Sequence, residues 1–355
     1  MNFQLNKPYN DLPLLPPESE KFETVKVYKK LSEARASLAE LKGRMPVIPK
    51  PEMLINTLVL QEARDSSIIE NINTEADILF TAFTSNKQNF PAATKEVLRY
   101  RQALWQAFQS PKQWKLDWIV KIFQTITLKQ EAVRDAQVRI GNDFSTVYTP
   151  PQPGKILKEK LSNFIKFAQN NSVDPLIAMV ILHYQFESIH PFSDGNGRTG
   201  RILNVLYLTK KGLLDLPILY ISKYILEYKS EYYRLLRDVT ENGNWESWIL
   251  FILEAVNQTS KFTLEKINAI YNYFNEVVKQ VKDKAKDIYS YELIELIFSQ
   301  PYSKIGLLVE SKIASRNTAS KYLNKLHEIG ILEPKKIGNE ILYLNKKLYE
   351  ILSAG

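Results

Sequence analysis

Residues 176–187 are apolar on nearly every side. A helix without a polar face has to be enclosed by other elements, so this segment forces the chain to build a core around it. Asp174-Pro175 opens the helix with a capping carboxylate followed by proline at the first helical position. Ile189-His190-Pro191 stops it. A second helix begins within residues 197–201, continues through residues 202–208 and ends near Gly212. The predicted centre is therefore a helix–loop–helix, with the loop at the N-terminus of the second helix.

The remaining pattern is also mainly α. Pro8, Pro13, Pro16 and Pro17 keep the start extended, and Pro46, Pro49 and Pro51 form a second rigid stretch. Helical periodicity covers 22–42, 53–83 with a break at 71–73, 92–108, 116–127 and 155–169. Thr74, followed by Glu75 and Asp77, has the form of a helix N-cap. Residues 138–153 carry β-branched and aromatic residues around Gly141-Asn142-Asp143, then Pro150, Pro151 and Pro153, which predicts a short hairpin with a rigid exit. Helices over 222–242, 245–258 and 260–284 follow. Beyond residue 291, three short helices (292–298, 303–310, 317–329) and two strands (331–333, 341–344) around a Gly338-Asn339 turn have the order of a winged helix-turn-helix.

Composition narrows the chemistry. The absence of cysteine removes disulfides, thiolate metal sites and cysteine nucleophiles. No apolar run is long enough to span a bilayer, and the first twenty residues lack the apolar run of a signal peptide, so a cytoplasmic location is expected. The last 55 residues hold nine basic and five acidic residues, half of the +8 net charge. That bias is compatible with a nucleic-acid footprint and equally with a solvated surface.

The loop between the central helices reads His190-Pro191-Phe192-Ser193-Asp194-Gly195-Asn196-Gly197-Arg198-Thr199-Gly200-Arg201. Taken singly, each residue has an ordinary explanation: a structural histidine, a turn aspartate, a tight turn, a solvated arginine pair. Together they form a phosphoryl-transfer set. Gly195 and Gly197 let backbone amides converge on an anion at a helix N-terminus. Arg198 and Arg201 would add phosphate contacts. Asp194 suits a hard cation, and His190 titrates where a hydroxyl proton is accepted.

This stretch resembles the Fic-domain signature, His-x-Phe-x-(Asp/Glu)-Gly-Asn-Gly-Arg-x-x-Arg, at every fixed position. The resemblance extends over roughly residues 55–260, through Arg134, Arg139-Ile140-Gly141, Tyr148 and His183 to Glu187. It implies a helical Fic core with a short β-hairpin flap, and a protein adenylyltransferase that moves AMP from ATP to Ser, Thr or Tyr hydroxyls. By that resemblance His190 is the base, Phe192 anchors the loop and Asp194 binds Mg²⁺. Asn196 and the amides of Gly195 and Gly197 hold the α- and β-phosphates, with Thr199 and Gly200 in the same nucleotide-binding stretch. Arg198 and Arg201 meet the outer phosphates, and Tyr228 is the candidate for the adenine side. The phosphorylating Doc branch carries a lysine-bearing variant in place of Gly-Asn-Gly-Arg, which Gly197-Arg198 does not match. The hairpin would receive an extended target segment on its edge.

Ser66, Glu70 and Asn71 fill the family's inhibitory pattern (Ser/Thr)-x-x-x-Glu-(Gly/Asn), which implies that Glu70 pairs with Arg201 and blocks the γ-phosphate. The implied domains are an N-terminal helical region (1–110) with an inhibitory helix near 60–71, a Fic core (111–258), a connecting helix (259–288) and a winged helix-turn-helix (289–355). Two further readings stay open. One is a DNA-binding regulator that uses the Fic core as a nucleotide sensor, with Arg316, Asn317, Thr318, Ser320 and Lys321 on the reading helix. The other is removal of AMP by the same groups. Self-modification and homodimer formation are common in the family and are carried as expectations.

Overall fold

The computed structural model describes residues 3–45, 51–85, 89–110, 114–142 and 145–353. Pro46 and Pro49 of the second proline stretch and Asp143 of the hairpin turn lie outside the described residues. The first elements are α1 (Val25–Arg44), α2 (Pro51–Ile69), α3 (Ala76–Thr84), α4 (Ala92–Gln109) and α5 (Leu116–Thr127). A hairpin follows, β1 (Ile140–Asn142) and β2 (Ser145–Tyr148), then α6 (Lys155–Gln169), α7 (Pro175–Ile189) and α8 (Asn196–Lys210). The chain continues through α9 (Ile221–Glu227), α10 (Lys229–Asn242) and α11 (Trp245–Lys284). It ends with α12 (Tyr291–Phe298), β3 (Tyr302–Ser303), α13 (Ile305–Glu310), α14 (Arg316–Glu328), β4 (Glu333–Ile337), β5 (Glu340–Leu344) and α15 (Lys346–Ser353). Among the described residues, no helix is long and apolar enough to cross a membrane.

The packing of the chain groups it into two compact units. It forms one compact unit from residues 1–42, 65–72 and 99–261, and a second from 43–64, 73–98 and 262–355. The predicted N-terminal region is thus shared out, and the short stretch 65–72 belongs with the central helices.

In the first unit α7 is enclosed as its composition demands. Every residue from Leu176 to Phe186, with Ser188 and Ile189, is buried. The Asp174 carboxylate accepts from the Leu176 amide at 2.9 Å and from Arg35 Nε at 3.0 Å, joining the start of α7 to α1. The indole N–H of Trp248 on α11 donates to the Val180 carbonyl at 3.2 Å. Phe164 of α6 packs on Phe186, with ring centroids 5.6 Å apart. The predicted helix over 222–242 is interrupted at Tyr228, which separates α9 from α10. The predicted break between 258 and 260 is absent. Thr259 keeps the helix by bonding its hydroxyl to the Ala255 carbonyl at 2.6 Å, so a polar cluster that signals a turn remains helical.

In the second unit Thr74 is not the cap of α3. Glu75 holds that position without a side-chain bond, and the Thr74 hydroxyl pairs with Thr94 at 2.7 Å. The C-terminal sheet has three antiparallel strands in the order β3-β5-β4. Tyr302-Ser303 pairs with Leu344 and Tyr343, which delays the helix expected from residue 303 until Ile305. The terminal helix α15 was not legible as a separate element. Buried Asn345 starts it, accepting from the Leu348 amide at 3.2 Å and from the Tyr273 hydroxyl at 2.9 Å.

Replacing Asp174 by alanine removes the α7 cap and leaves Arg35 without its carboxylate. The expected cost is about 1–2 kcal/mol, read as a lower urea midpoint for unfolding of the first unit with the slope unchanged.

Candidate functional site

The loop between α7 and α8 is held by its own side chains. His190 caps α7 in the left-handed region (φ 48°), its amide donating to the Phe186 carbonyl at 3.0 Å. Phe192 is fully buried and stacks on Phe123 with ring centroids 4.1 Å apart. Asn196 accepts from the Phe192 amide and donates to the Phe192 carbonyl, both at 2.9 Å. This buried clamp occupies the Asn196 side chain in closing the loop, where a phosphate contact was expected. Gly195, at φ 67°, is the N-cap of α8, and a Cβ there would lie 2.9 Å from Thr127. Only a residue without a Cβ meets both conditions.

The first amides of α8, at Asn196 and Gly197, lie in the turn where a helix has no carbonyl of its own to bond. Thr199 and Gly200 do not extend it. The Thr199 amide already bonds the Gly195 carbonyl at 3.0 Å, and its side chain is fully buried. Gly200 faces α7, where a Cβ would stand 2.6 Å from Glu187 Oε1. Helical pairing from the fourth residue onward removes both amides from anion binding.

Arg201 is buried and answers to the end of α2. Its Nε donates to Ser66 Oγ, and its Nη2 donates to the Ser66 carbonyl and to Glu70 Oε1, each at 2.8 Å. Ser66 and Glu70 are four residues apart and so share one helix face. Glu70 keeps 32 % of its side-chain exposure against 2 % for Arg201, so the arginine is the fixed member of the pair. Burial is the largest influence on the Arg201 pKa and lowers it, but Glu70, Tyr232, Glu187 and Tyr100 together outweigh it and the net shift is upward. Asn71 ends α2 in the left-handed region (φ 62°), where asparagine or glycine is favoured. Its neighbour Ile72 donates to the Ser67 carbonyl at 2.9 Å. Lys229 Nζ donates to the Ile69 carbonyl at 2.6 Å, a latch on the same helix end that no sequence pattern announced.

A cavity of about 580 Å³ joins these groups, lined by Glu70, Asn71, Glu187, His190, Gly197 and Arg201, with residues of the hairpin and of α10. Tyr232 and Tyr233 line it, whereas Tyr228 packs on Tyr224 at 4.5 Å with its side chain exposed. One helical turn therefore separates the expected aromatic from those the fold presents. A tyrosine-rich run, Tyr224 to Tyr233, was the available signal, but the interruption at Tyr228 decides which rings turn inward.

Arg134 joins the loop to the hairpin. Its amide donates to the Pro191 carbonyl at 2.9 Å and its Nε to the His190 carbonyl at 2.8 Å, while Nη2 donates to the Pro151 carbonyl. Strands β1 and β2 pair Ile140 with Tyr148 and Gly141 with Thr146, with a bulge between Ile140 and Gly141. The Tyr148 hydroxyl donates to the Ser188 carbonyl at 2.9 Å, seating β2 beside the cavity.

Burial lowers the His190 pKa to about 4, so its imidazole is neutral near pH 7. Its Nδ1 lies 3.3 Å from the Glu187 carbonyl; a proton held there leaves the lone pair on Nε2. Asp194 is half-exposed and accepts from the Gly195 amide at 2.6 Å. Among the described residues no three His, Asp or Glu side chains gather as a metal cluster. A lone carboxylate beside an amide cradle fits Mg²⁺, which keeps water and phosphate oxygens as its other ligands.

Three family models match the chain. Residues 28–109 match the Fic/DOC family N-terminal model, 113–208 the Fic/DOC family model, and 273–348 the C-terminal domain of protein adenylyltransferase SoFic-like. The protein adenylyltransferase Fic of Drosophila mojavensis is 33 % identical over 143 residues, covering 40 % of this chain and 27 % of that one. Its counterpart in Drosophila grimshawi is 32 % identical over 128 residues, covering 36 % and 24 %. A probable protein adenylyltransferase of Aquifex aeolicus is 27 % identical over 172 residues, covering 46 % and 48 %. The chain therefore spans between about a quarter and a half of the curated relatives it matches. A Fic family protein from Desulfovibrio desulfuricans has the same fold, with a TM-score of 0.58 at 21 % identity over 91 % of this chain and 97 % of that one.

Both His190 and His183, the latter lowered to about 3 by burial and then by the Arg201 charge, bind protons more weakly folded than unfolded. Their contribution to stability is complete above the unfolded value near 6.5 and is lost as the pH falls toward 4. A His183→Gln variant should show a shallower fall of melting temperature over that window in calorimetric scans.

Proposed function

The chain belongs to the Fic/DOC family, whose N-terminal and central models together match half of it, and from that premise we propose that it is an adenylyltransferase restrained by its own Glu70. ATP is the nucleotide substrate, and a protein hydroxyl is the acceptor. The observation that carries the reading is the bond from Arg201 to Glu70 beside the N-terminus of α8.

The amides of Asn196, Gly197 and Arg198 would hold phosphate oxygens at the positive end of α8. Arg201 would take the outer phosphate once Glu70 leaves, since both anions require the same guanidinium. A target segment added to the hairpin edge would bring its hydroxyl to His190. That oxygen attacks the α-phosphorus while the bond to pyrophosphate breaks, and His190 Nε2 takes the hydroxyl proton. Mg²⁺ held at Asp194 would neutralise phosphate charge. Tyr232 and Tyr233 supply the aromatic wall on which the nucleoside would lie.

Occupied by Glu70, Arg201 is unavailable and the cavity carries an extra negative charge facing an anionic substrate. Gly197 sharpens this conflict: a Cβ there would overlap the Glu70 carboxylate, so the carboxylate lies directly on the cradle. A DNA-reading role for the C-terminal unit gains no comparable support. The wing residue Lys335 is tied to Asp77 of α3 at 2.9 Å, and Glu340 to Ser85.

Glu70→Gly should raise AMP transfer from labelled ATP about 10- to 100-fold, the factor for removing a charged hydrogen-bond competitor. His190→Ala in that background should lower the rate at least about 100-fold. An unchanged Glu70→Gly rate would reject the restraint. AMP release from a premodified protein by the wild type would identify the reverse direction.

A further inference from the structure

Glu187 is a partly buried carboxyl, its Oε1 closed off from water, that the scheme above leaves idle. It sits on α7 one turn before His190 and lines the same cavity as Glu70 and Arg201. Among the described residues its Oε1 has no hydrogen-bond partner. Two glycines one turn apart on α8 admit two carboxylates: Gly197 makes room for Glu70, and Gly200 for Glu187, whose Oε1 would be 2.6 Å from a Cβ. The arginine that follows Gly200 lies within electrostatic reach of both carboxylates.

We infer that Glu187 is a second rival for Arg201, leaving the arginine to the nucleotide's outer phosphate when it is neutral and claiming it when it is ionised. A carboxylate oxygen that is closed off from water and has no hydrogen bond is costly to ionise unless a cation compensates it, and Arg201 is the cation at hand. The groups facing Glu187 are Arg201 from α8, Glu70 from α2, and Tyr232 and Tyr233 from α10. Lys229, Arg237, Tyr148 and its own helix's His190 share the cavity wall. Burial raises the Glu187 pKa to about 8; Arg201 opposes the rise and Glu70 adds to it. At neutral pH the group is therefore protonated, and the arginine is free of it. Above about pH 8 Glu187 loses its proton to solvent through the cavity, and the ionised group competes with ATP. Removing Glu70 lowers this pKa by taking away one neighbouring negative charge, so competition then begins at lower pH.

This inference rests on the assignment of the cavity to ATP, and the test separates the two. ATP with Mg²⁺ is titrated calorimetrically into Glu70→Gly protein between about pH 6 and pH 9, alongside measurement of KM and kcat for AMP transfer. The ATP Kd and KM should weaken by up to about tenfold per pH unit once Glu187 ionises, with kcat little changed. The double variant Glu70→Gly/Glu187→Gln, which keeps the shape and stays neutral, should be flat apart from the titration of ATP itself. Gly200→Ala in the Glu70→Gly background offers a second route, since its Cβ displaces the carboxylate, and it should flatten the profile too. Parallel losses of affinity in Glu70→Gly and Glu70→Gly/Glu187→Gln would overturn the inference. Glu187-dependent ATP binding without AMP transfer would uphold it and refute the transfer reading instead.

Discussion

A buried guanidinium needs compensation, and Arg201 organises the centre of this protein around that need. It lies on the second turn of α8, nearly inaccessible to water, and donates three hydrogen bonds to Ser66 and Glu70 at the end of α2. Leaving such a charge unpaired is far more costly than forming a surface ion pair. Whatever supplies the anion therefore governs the site: Glu70 in the structure as it stands, a phosphate in the proposed reaction, or Glu187 when it ionises. The α2 end, with its Ser66 contacts and Asn71 terminus, is built to present one of those anions.

The loop is equally constrained. Phe192 and Asn196 spend their side chains on packing and on closing the turn, so in the proposed reaction the chemistry would fall to the backbone amides and to groups that approach from other elements. Arg134 ties the His190 and Pro191 carbonyls to the foot of the hairpin, which connects the position of His190 with that of the strand edge. Precise placement of this kind depends on buried, fully satisfied polar groups.

Much of this was legible in the chain itself. The apolar run at 176–187 marked the central helix, Asp174-Pro175 its start, and Gly195 and Gly197 the turn at the head of α8, because caps and positive φ leave local signatures. The pairing of Glu70 with Arg201 followed from a motif resemblance rather than from local physics, since 131 residues separate the two. Other expected residues stand in a different setting for identifiable reasons. Thr199 and Gly200 sit in a phosphate-type motif, yet helical hydrogen bonding and the approach of α7 turn them away from the cradle. Tyr228 had the right chemistry, but the break between α9 and α10 leaves it outside the cavity, which buried Tyr232 and exposed Tyr233 line instead.

The sequence alone determined most of the helical segments, where the central loop turns and which residues form the signature at the head of α8, because those properties depend on neighbours within one or two turns. The tertiary structure decided which groups meet. It set Glu70 and Ser66 on Arg201, Lys229 on the end of α2, and Glu187 on Gly200. Those meetings depend on burial and on the crossing of distant helices, and a buried charge selects its partner by reach and desolvation rather than by position along the chain.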